Sequence, residues 1–259
     1  MMLRDKLIAL SVMKKGNWNE IYEVLKNDET LQGLNETKTK EMLKQVDHFS
    51  VLTILDEEYP ECFKEIASPP FVLYYQGDLG LLRKSKMSLV GSRRPSEEGI
   101  KSTLSLMEYF SKREIAIVGN LQLGIEAIAQ WAAIKKGKTI TILSSGFSTI
   151  YPPENYDLYR RMIKDHLVLT EYPPKVFPSA ARFYRAQYLL QELSDVSLIV
   201  EMTKNEARLD LIKKLIDEGK IIYALPASYQ AAHSSGCLEL IRYGAHCFTN
   251  AKEVLKWVE

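Results

Sequence analysis

The architecture of this chain follows from one stretch, Ser88-Leu-Val-Gly-Ser-Arg-Arg-Pro-Ser-Glu-Glu-Gly99. The apolar run from Met87 to Val90 predicts a buried strand, and Gly91 allows the backbone to turn sharply after it. Pro95 suits the first turn of a helix, where its missing N–H group costs nothing. The stretch therefore predicts a strand, a tight turn and the N-terminus of a helix.

The predicted turn carries groups that bind anions. Ser92 offers a hydroxyl, and Arg93 and Arg94 offer guanidinium groups whose forked donors fit phosphate or carboxylate. Free N–H groups at a helix N-terminus favour the same ligands, so we expect the amides from Gly91 to Arg94 to contribute. The alternative is an ordinary strand-to-helix turn with a solvated arginine pair, and this stretch alone does not decide between them.

Further apolar runs recur along the chain, and the intervals between them are long enough for helices. Runs that are apolar on both faces are typical of buried parallel strands. They are Met87–Val90, Ile115–Val118, Thr139–Leu143, Val196–Val200 and Ile221–Leu225, preceded by strand-like Phe49–Leu55 and Phe71–Tyr75. Strands that alternate with helices predict an α/β fold with an open, doubly wound sheet, which binds ligands at the carboxyl ends of its strands.

Composition limits the class of protein. The chain has 259 residues, of which 46% are hydrophobic and 26% charged, as expected of an ordinary globular protein, and its formal net charge is only +1. Neither a membrane span nor a signal peptide is visible, so we expect a cytoplasmic protein without a membrane partner. Three cysteines and four scattered histidines show no metal-ligand spacing, and neither a metal nor a cofactor is expected.

Residues 1–48 show helical patterns separated by polar breaks, which predict a small helical domain that packs against the main domain or a partner. Nothing in it looks catalytic.

Residues 172–191 have the composition of a single-stranded nucleic-acid site. They contain no acidic residue. Their cations are Lys175, Arg182 and Arg185, and their aromatic residues are Tyr172, Phe177, Phe183, Tyr184 and Tyr188. Cations that follow a phosphate backbone and rings that stack on bases are what such a ligand requires. Alternatively, the rings belong to the core and the arginines form a solvated helix face.

Two more strand ends carry glycines that would let a ligand approach the backbone. Gly124 closes the segment after the second parallel strand, and Gly146 lies after the third. The dinucleotide fingerprint G-x-G-x-x-G and the P-loop are both absent from the sequence, which removes the two commonest phosphate-binding devices.

The chain resembles the DNA-processing protein A (DprA/Smf) family from about residue 50 onward. Nine motifs carry the resemblance in order: Leu55-Asp-Glu-Glu-Tyr-Pro60, Pro69-Pro-Phe-Val-Leu-Tyr-Tyr-Gln-Gly77, Val90-Gly-Ser-Arg93, Gly124-Ile-Glu126, Gly137-Lys-Thr-Ile140, Gly146, Ile150-Tyr-Pro-Pro-Glu-Asn155, Glu171-Tyr-Pro-Pro174 and Leu240-Ile-Arg-Tyr-Gly-Ala245. The resemblance implies an extended Rossmann-like DNA-binding domain over residues 49–259 after a small helical, SAM-like domain over residues 1–48.

The same resemblance implies a function. Members of this family bind single-stranded DNA, self-associate and load a RecA-type recombinase during natural transformation, without an established chemical reaction. Gly91, Ser92 and Arg93 match the family's phosphate-binding turn, and Phe183 and Arg185 match its F-P-x-R-N-R segment. The chain is thus predicted to be a homodimeric DNA binder and not an enzyme.

Several positions depart from the family pattern. Asn120, Leu123, Tyr188 and Glu206 replace small or basic residues at the expected ligand edge, and the carboxylate of Glu206 is expected to weaken anion binding. Two other hypotheses therefore stay open. One is a nucleotide-binding or nucleotide-cleaving enzyme with Glu126 or Glu171 as its catalytic carboxylate, and the other is a degenerate member that has lost DNA binding.

Overall fold

The computed structural model describes residues 2–27 and 34–258. In this part of the chain the strands are β1 (Ser50–Thr53), β2 (Val72–Gly77), β3 (Ser85–Gly91), β4 (Ile115–Gly119), β5 (Lys138–Leu143), β6 (Leu167–Thr170), β7 (Val196–Glu201), β8 (Ile222–Ala224) and β9 (His246–Cys247). They form one sheet with the order β1-β2-β6-β5-β4-β3-β7-β8-β9. The strand of the opening stretch, β3, lies near the middle.

The sheet is parallel except at one edge. In sheet order, the neighbouring strands β6, β5, β4, β3, β7, β8 and β9 pair in parallel. Strand β2 pairs antiparallel with both β1 and β6. The predicted doubly wound, mostly parallel sheet is therefore confirmed. Two strands were missing from the prediction. β6 has four residues, all buried, and adds a parallel neighbour to β5. The two-residue β9 pairs in parallel with β8.

Helices cover both faces of this sheet. They are α1 (Leu3–Met13), α2 (Trp18–Lys26), α3 (Glu36–Lys44), α4 (Glu61–Lys64), α5 (Glu97–Phe110), α6 (Ile125–Lys136), α7 (Tyr156–Asp165), α8 (Ala180–Leu193), α9 (Arg208–Asp217), α10 (Ser235–Tyr243) and α11 (Lys252–Leu255). Apolar side chains of α8, α9 and α10 share one buried cluster with the sheet, and those of α5 and α6 share another. Among the described residues, no helix combines the length and the apolar character needed to cross a membrane.

The N-terminal helices dock on the antiparallel edge. Leu7 and Ile8 of α1 share a buried cluster with Val72 and Tyr74 of β2, and the Tyr74 hydroxyl lies 3.1 Å from Ser11 Oγ. These contacts fix the helices on the sheet, so the described part of residues 1–48 packs against the main domain, which is one of the two expected roles. Their status as a domain that folds separately stays a prediction.

The topology reverses beside β3. The chain proceeds from β3 through β4 and β5 to β6 on one side, then crosses back to add β7 on the other side of β3. Loops leaving β3 and β7 therefore diverge at their carboxyl ends and leave a crevice, which is where doubly wound sheets bind ligands.

Candidate functional site

A cleft opens at this crevice, with a volume of about 450 Å³. Residues that follow β3, β4 and β7 line one side of the cleft, and the first half of α8 lines the other. Two arginines, three amides and three aromatic side chains give it its chemistry: Arg93, Arg208, Asn120, Gln122, Gln187, Tyr151, Phe183 and Tyr184.

The turn after β3 presents its arginine side chains outward while its amides face inward. The Ser92 N–H group donates to the Glu201 carbonyl at 2.7 Å, and the Arg94 N–H group donates to Ser92 Oγ at 3.1 Å. The expectation that these two amides bind the anion is therefore wrong. The side chains of Arg93 and Arg94 are exposed, and among the described residues neither forms a hydrogen bond or a salt bridge, although the charge of Arg93 acts on Glu126.

The N-terminus of α5 binds a carboxylate of the protein itself, that of Glu201. Ser96 donates to the Glu201 carboxylate from its N–H group at 3.0 Å and from its hydroxyl. Glu201 is buried at the end of β7, and a Cβ on Gly99 would come within 2.6 Å of Glu201 Oε2. This carboxylate occupies the helix dipole site that the opening stretch predicted for an external phosphate.

Gly124 holds two turns of the site together. Its φ of +80° is in the left-handed region, and a Cβ there would lie 2.1 Å from the Ser92 carbonyl oxygen and 2.7 Å from Arg93 Cα. The next amide, of Ile125, donates to the same Ser92 carbonyl at 3.1 Å. Gly124 therefore positions Arg93 through backbone contact. Gly91 is equally crowded, since a Cβ there would lie 2.6 Å from Ile125 Cγ1.

Gly146 lets the segment before α8 close onto the end of β5. Its N–H group donates to the Val176 carbonyl at 2.8 Å, and a Cβ would lie 2.0 Å from the Pro173 carbonyl oxygen. This contact fixes the loop that carries Lys175, whose side chain is exposed.

Aromatic side chains line the α8 side of the cleft. Phe183 is half-buried and packs edge-on against Tyr151, with ring centroids 5.4 Å apart. The Tyr184 side chain beside it is 53% exposed. The predicted rings are thus divided: Phe183 and Tyr184 reach the cleft, whereas Tyr172 is buried.

Arg182 points away from the cleft, into a neighbouring groove. Its Nη1 donates to the Phe177 carbonyl at 2.8 Å, and its guanidinium carbon lies 5.3 Å from the centre of the Tyr172 ring. The groove also carries Lys175. The structure thus places these two cations together, separated from Arg93 by the start of α8.

Arg185 points into the protein. Its guanidinium group donates to both carboxylate oxygens of Glu171, at 2.8 and 3.0 Å, and to Ser68 through its hydroxyl and its carbonyl at 2.8 and 2.6 Å. A buried carboxylate opposite a forked donor stabilises this inward orientation. The geometry therefore favours a positioning role for Arg185 over the predicted contact with phosphate.

Arg208 also lines the cleft, although it was not among the predicted site residues. It donates to the Glu126 carboxylate, to Glu206 at 2.9 Å and to the Gly91 carbonyl. Glu126 is 1% exposed; burial raises its pKa above the ordinary value, and Arg208 and Arg93 offset this only in part. The ion pair also changes the expectation for Glu206, because Arg208, which contacts Glu126 as well, offsets part of the charge of its carboxylate.

Side-chain amides line the cleft, and that of Asn120 lies at a position that departs from the family pattern. Asn120 Nδ2 donates to Gln187 Oε1 at 3.1 Å, which links the end of β4 to α8. The Gln122 side chain lines the cleft without a hydrogen-bonding partner in the described chain. Leu123 is 37% exposed and is not among the cleft-lining residues.

Neither candidate catalytic carboxylate is accessible to a ligand. Glu126 is paired with Arg208 and Glu171 with Arg185, and their side chains are 0% and 6% exposed. In the two described segments of the chain, no cluster of His, Cys, Asp and Glu side chains could hold a metal ion. The cleft can therefore supply cationic, amide and aromatic contacts to a ligand.

The fold defines a Rossmann-like α/β protein with a cleft at its topological switch point. Residues 50–259 match the DNA recombination-mediator protein A family, and the chain belongs to this family. The resemblance deduced from the motifs is confirmed.

Relatives and solved structures support the same family assignment. The chain is 33% identical over 213 residues to DNA processing protein DprA of Streptococcus pneumoniae, which covers 82% of this chain and 75% of that protein. It is 31% identical over 209 residues to DprA of Bacillus subtilis, over 80% and 70% of the two chains. The crystal structure of DprA from Streptococcus pneumoniae superposes with a TM-score of 0.86 at 29% identity, over 100% and 99% of the chains. DprA from Helicobacter pylori gives a TM-score of 0.72 at 27% identity, over 81% and 95%.

Proposed function

We propose that this protein binds single-stranded DNA in the cleft, with Arg93 as the main phosphate contact. The observation that carries the proposal is the exposed Arg93 guanidinium, which forms no hydrogen bond or salt bridge in the described chain and lies in a cleft lined by rings and amides. Cations beside aromatic rings are the combination that binds single strands without strong sequence preference.

Each predicted residue has a part in this interface. Arg94, Lys175 and Arg182 extend the positive charge along the strand, and Phe183 stacks on a base. Gly91, Ser92, Gly124 and Gly146 shape the backbone that presents these side chains, and Arg185 holds the start of α8 through Glu171. Structural work on the Helicobacter pylori relative concerns its single-stranded DNA binding mode, which supports the same ligand class here.

The wider role we propose follows the family. Bound DNA would be protected and passed to a RecA-type recombinase by a homodimer in the cytoplasm, without a chemical step. Pairing of Glu126 and Glu171 with arginines supports binding over catalysis. The free thiols of Cys62, Cys237 and Cys247 suit a reducing compartment.

Fluorescence anisotropy with labelled oligo-dT tests the site. Arg93→Ala is expected to weaken binding about tenfold, because a charge-assisted contact is lost. The matched control is Arg83→Ala, since Arg83 is an exposed arginine just before β3, at the opposite end of the same strand. Equal losses in both variants would show that Arg93 acts only through net charge. Absence of oligo-dT binding by the unmodified protein would favour a degenerate member of the family.

A further inference from the structure

A second cavity lies between the N-terminal helices and the loop before α8, with a volume of about 370 Å³. We call it the lysine groove. Val12, Lys15, Gln45 and Val46 line it from the helical side. The loop side contributes Pro173 to Phe177 and Arg182. The groove is therefore built jointly by the two predicted domains.

The lysine groove carries positive charge that the protein does not neutralise. Its cations are Lys15, Lys175 and Arg182, and the described lining contains neither aspartate nor glutamate. Lys14, the neighbour of Lys15, pairs with Glu20 at 3.4 Å. Lys15 itself has no ionic partner in the described segments. A cationic cavity without internal counter-charges is complementary to a polyanion.

Backbone packing holds Lys15 in place. Lys15 has a φ of +52°, which lysine rarely adopts, and Gly16 follows with a φ of +69°. A Cβ on Gly16 would lie 2.6 Å from the Glu171 carbonyl oxygen and 2.9 Å from Tyr172 Cδ1. The turn at the end of α1 is thus pressed against the loop that carries Lys175. The left-handed Lys15 is part of the C-terminal cap of α1, in which the Gly16 N–H group donates to the Ser11 carbonyl at 2.9 Å, so the helix end and the loop together fix its position.

The lysine groove lies on the other side of the start of α8 from the cleft. Arg182 lines the groove and the next residue, Phe183, lines the cleft, so the two cavities flank the first turn of α8. Phe177, which also lines the groove, is 69% exposed and offers a ring on which a base could stack. A strand that leaves the cleft over α8 meets these groups next.

We propose that the lysine groove is a second phosphodiester-binding subsite and that Lys15 brings the N-terminal helical unit into the DNA interface. The proposal rests on the proposed function, because its ligand is the strand already bound in the cleft. Lys15 lies outside residues 50–259, the part that matches the family. The helical unit thereby determines how long a strand the protein engages.

Oligo-dT of two lengths tests this subsite. Lys15→Asn removes the charge and keeps a residue that tolerates positive φ, so the fold is preserved. With oligo-dT of about 16 nucleotides, we expect affinity to fall roughly threefold to tenfold and the slope of log K against log salt to decrease by about 0.7. With about 4 nucleotides, which occupy the cleft alone, the variant should match the unmodified protein.

Lys14→Gln is the matched control, because it changes the net charge by the same amount at a neighbouring lysine that pairs with Glu20 and does not line the groove. It should leave both affinities unchanged. If Lys15→Asn binds the long oligonucleotide as tightly as the unmodified protein and with the same salt slope, the subsite is refuted while binding in the cleft stands. If the unmodified protein binds neither length, the proposed function itself fails.

Discussion

Arginines at the carboxyl edge of this sheet fall into two groups with opposite orientations. Arg93 and Arg94 point outward from the turn after β3, and their side chains form no hydrogen bond or salt bridge among the described residues. Arg185 and Arg208 point inward, and each forms an ion pair with a buried glutamate, Glu171 or Glu126. Side chains of one type are thus accessible to a ligand in one place and stabilise the fold in another.

The difference follows from the cost of desolvation. A guanidinium group taken out of water needs a carboxylate and further acceptors, and the inward arginines have both. An outward arginine keeps its hydration until a ligand phosphate replaces it. An exposed arginine without a partner at a crevice is therefore the better indicator of a binding site, and the paired arginines indicate what holds the crevice open.

The largest expected change in stability comes from breaking the ion pair of an inward arginine. Arg208→Ala leaves the Glu126 carboxylate buried without its cation, so we expect the free energy of unfolding to fall by about 3–5 kcal/mol. Arg93→Ala should change it by less than about 0.5 kcal/mol, because its side chain is exposed. Urea denaturation of both variants measures the contrast.

The double variant Arg208→Ala with Glu126→Gln serves as the control for that contrast. Removing the orphaned charge should recover part of the lost stability. Equal unfolding midpoints for Arg208→Ala and Arg93→Ala would contradict the distinction between inward and outward arginines.

A smaller loss is expected when the backbone under Arg93 is disturbed. Gly124→Ala places a Cβ at 2.1 Å from the Ser92 carbonyl oxygen and forces a φ of +80° on alanine. We expect the variant to lose roughly 2–3 kcal/mol of stability and to bind oligo-dT more weakly, because the turn that presents Arg93 must shift. Gly219→Ala has a similar φ of +83° with nothing within 4 Å, so it isolates the cost of backbone strain. Equal stability of the two alanine variants would refute the packing role of Gly124.

The smallest effect concerns stacking in the cleft. Phe183→Leu keeps an apolar side chain against Tyr151 and removes the ring, so oligo-dT affinity should fall by about fivefold to tenfold. Unfolding of the variant by urea should show only a minor change, since a half-buried apolar group is retained. Unchanged affinity would place the bases elsewhere.

Much of the fold was predictable from sequence because its signals are local. Apolar runs of four or five residues identified β3 and parallel strands on both sides of it, and the intervals between the runs left room for α5 and α6. The strand β6 was not predicted, because Leu167–Thr170 is short and follows α7 almost directly. Its place in the sheet depends on pairing with β5 and β2, which no local pattern records.

The site was only partly predictable, since orientation depends on distant partners. Arg185 meets Glu171, 14 positions away, and Arg208 meets Glu126, 82 positions away. The carboxylate at the start of α5 comes from Glu201, 105 positions beyond Ser96. A sequence pattern shows which side chains can bind phosphate, but it does not show which of them the protein has already paired.

The central claim is that the outward Arg93 binds single-stranded DNA in the cleft. Oligo-dT anisotropy at two salt concentrations, on the unmodified protein and on Arg93→Ala, tests it most directly. We predict salt-sensitive binding that weakens about tenfold in the variant, a salt slope lower by about 0.7, and an unchanged circular dichroism spectrum. Binding of equal affinity and equal salt slope by both proteins would contradict the claim.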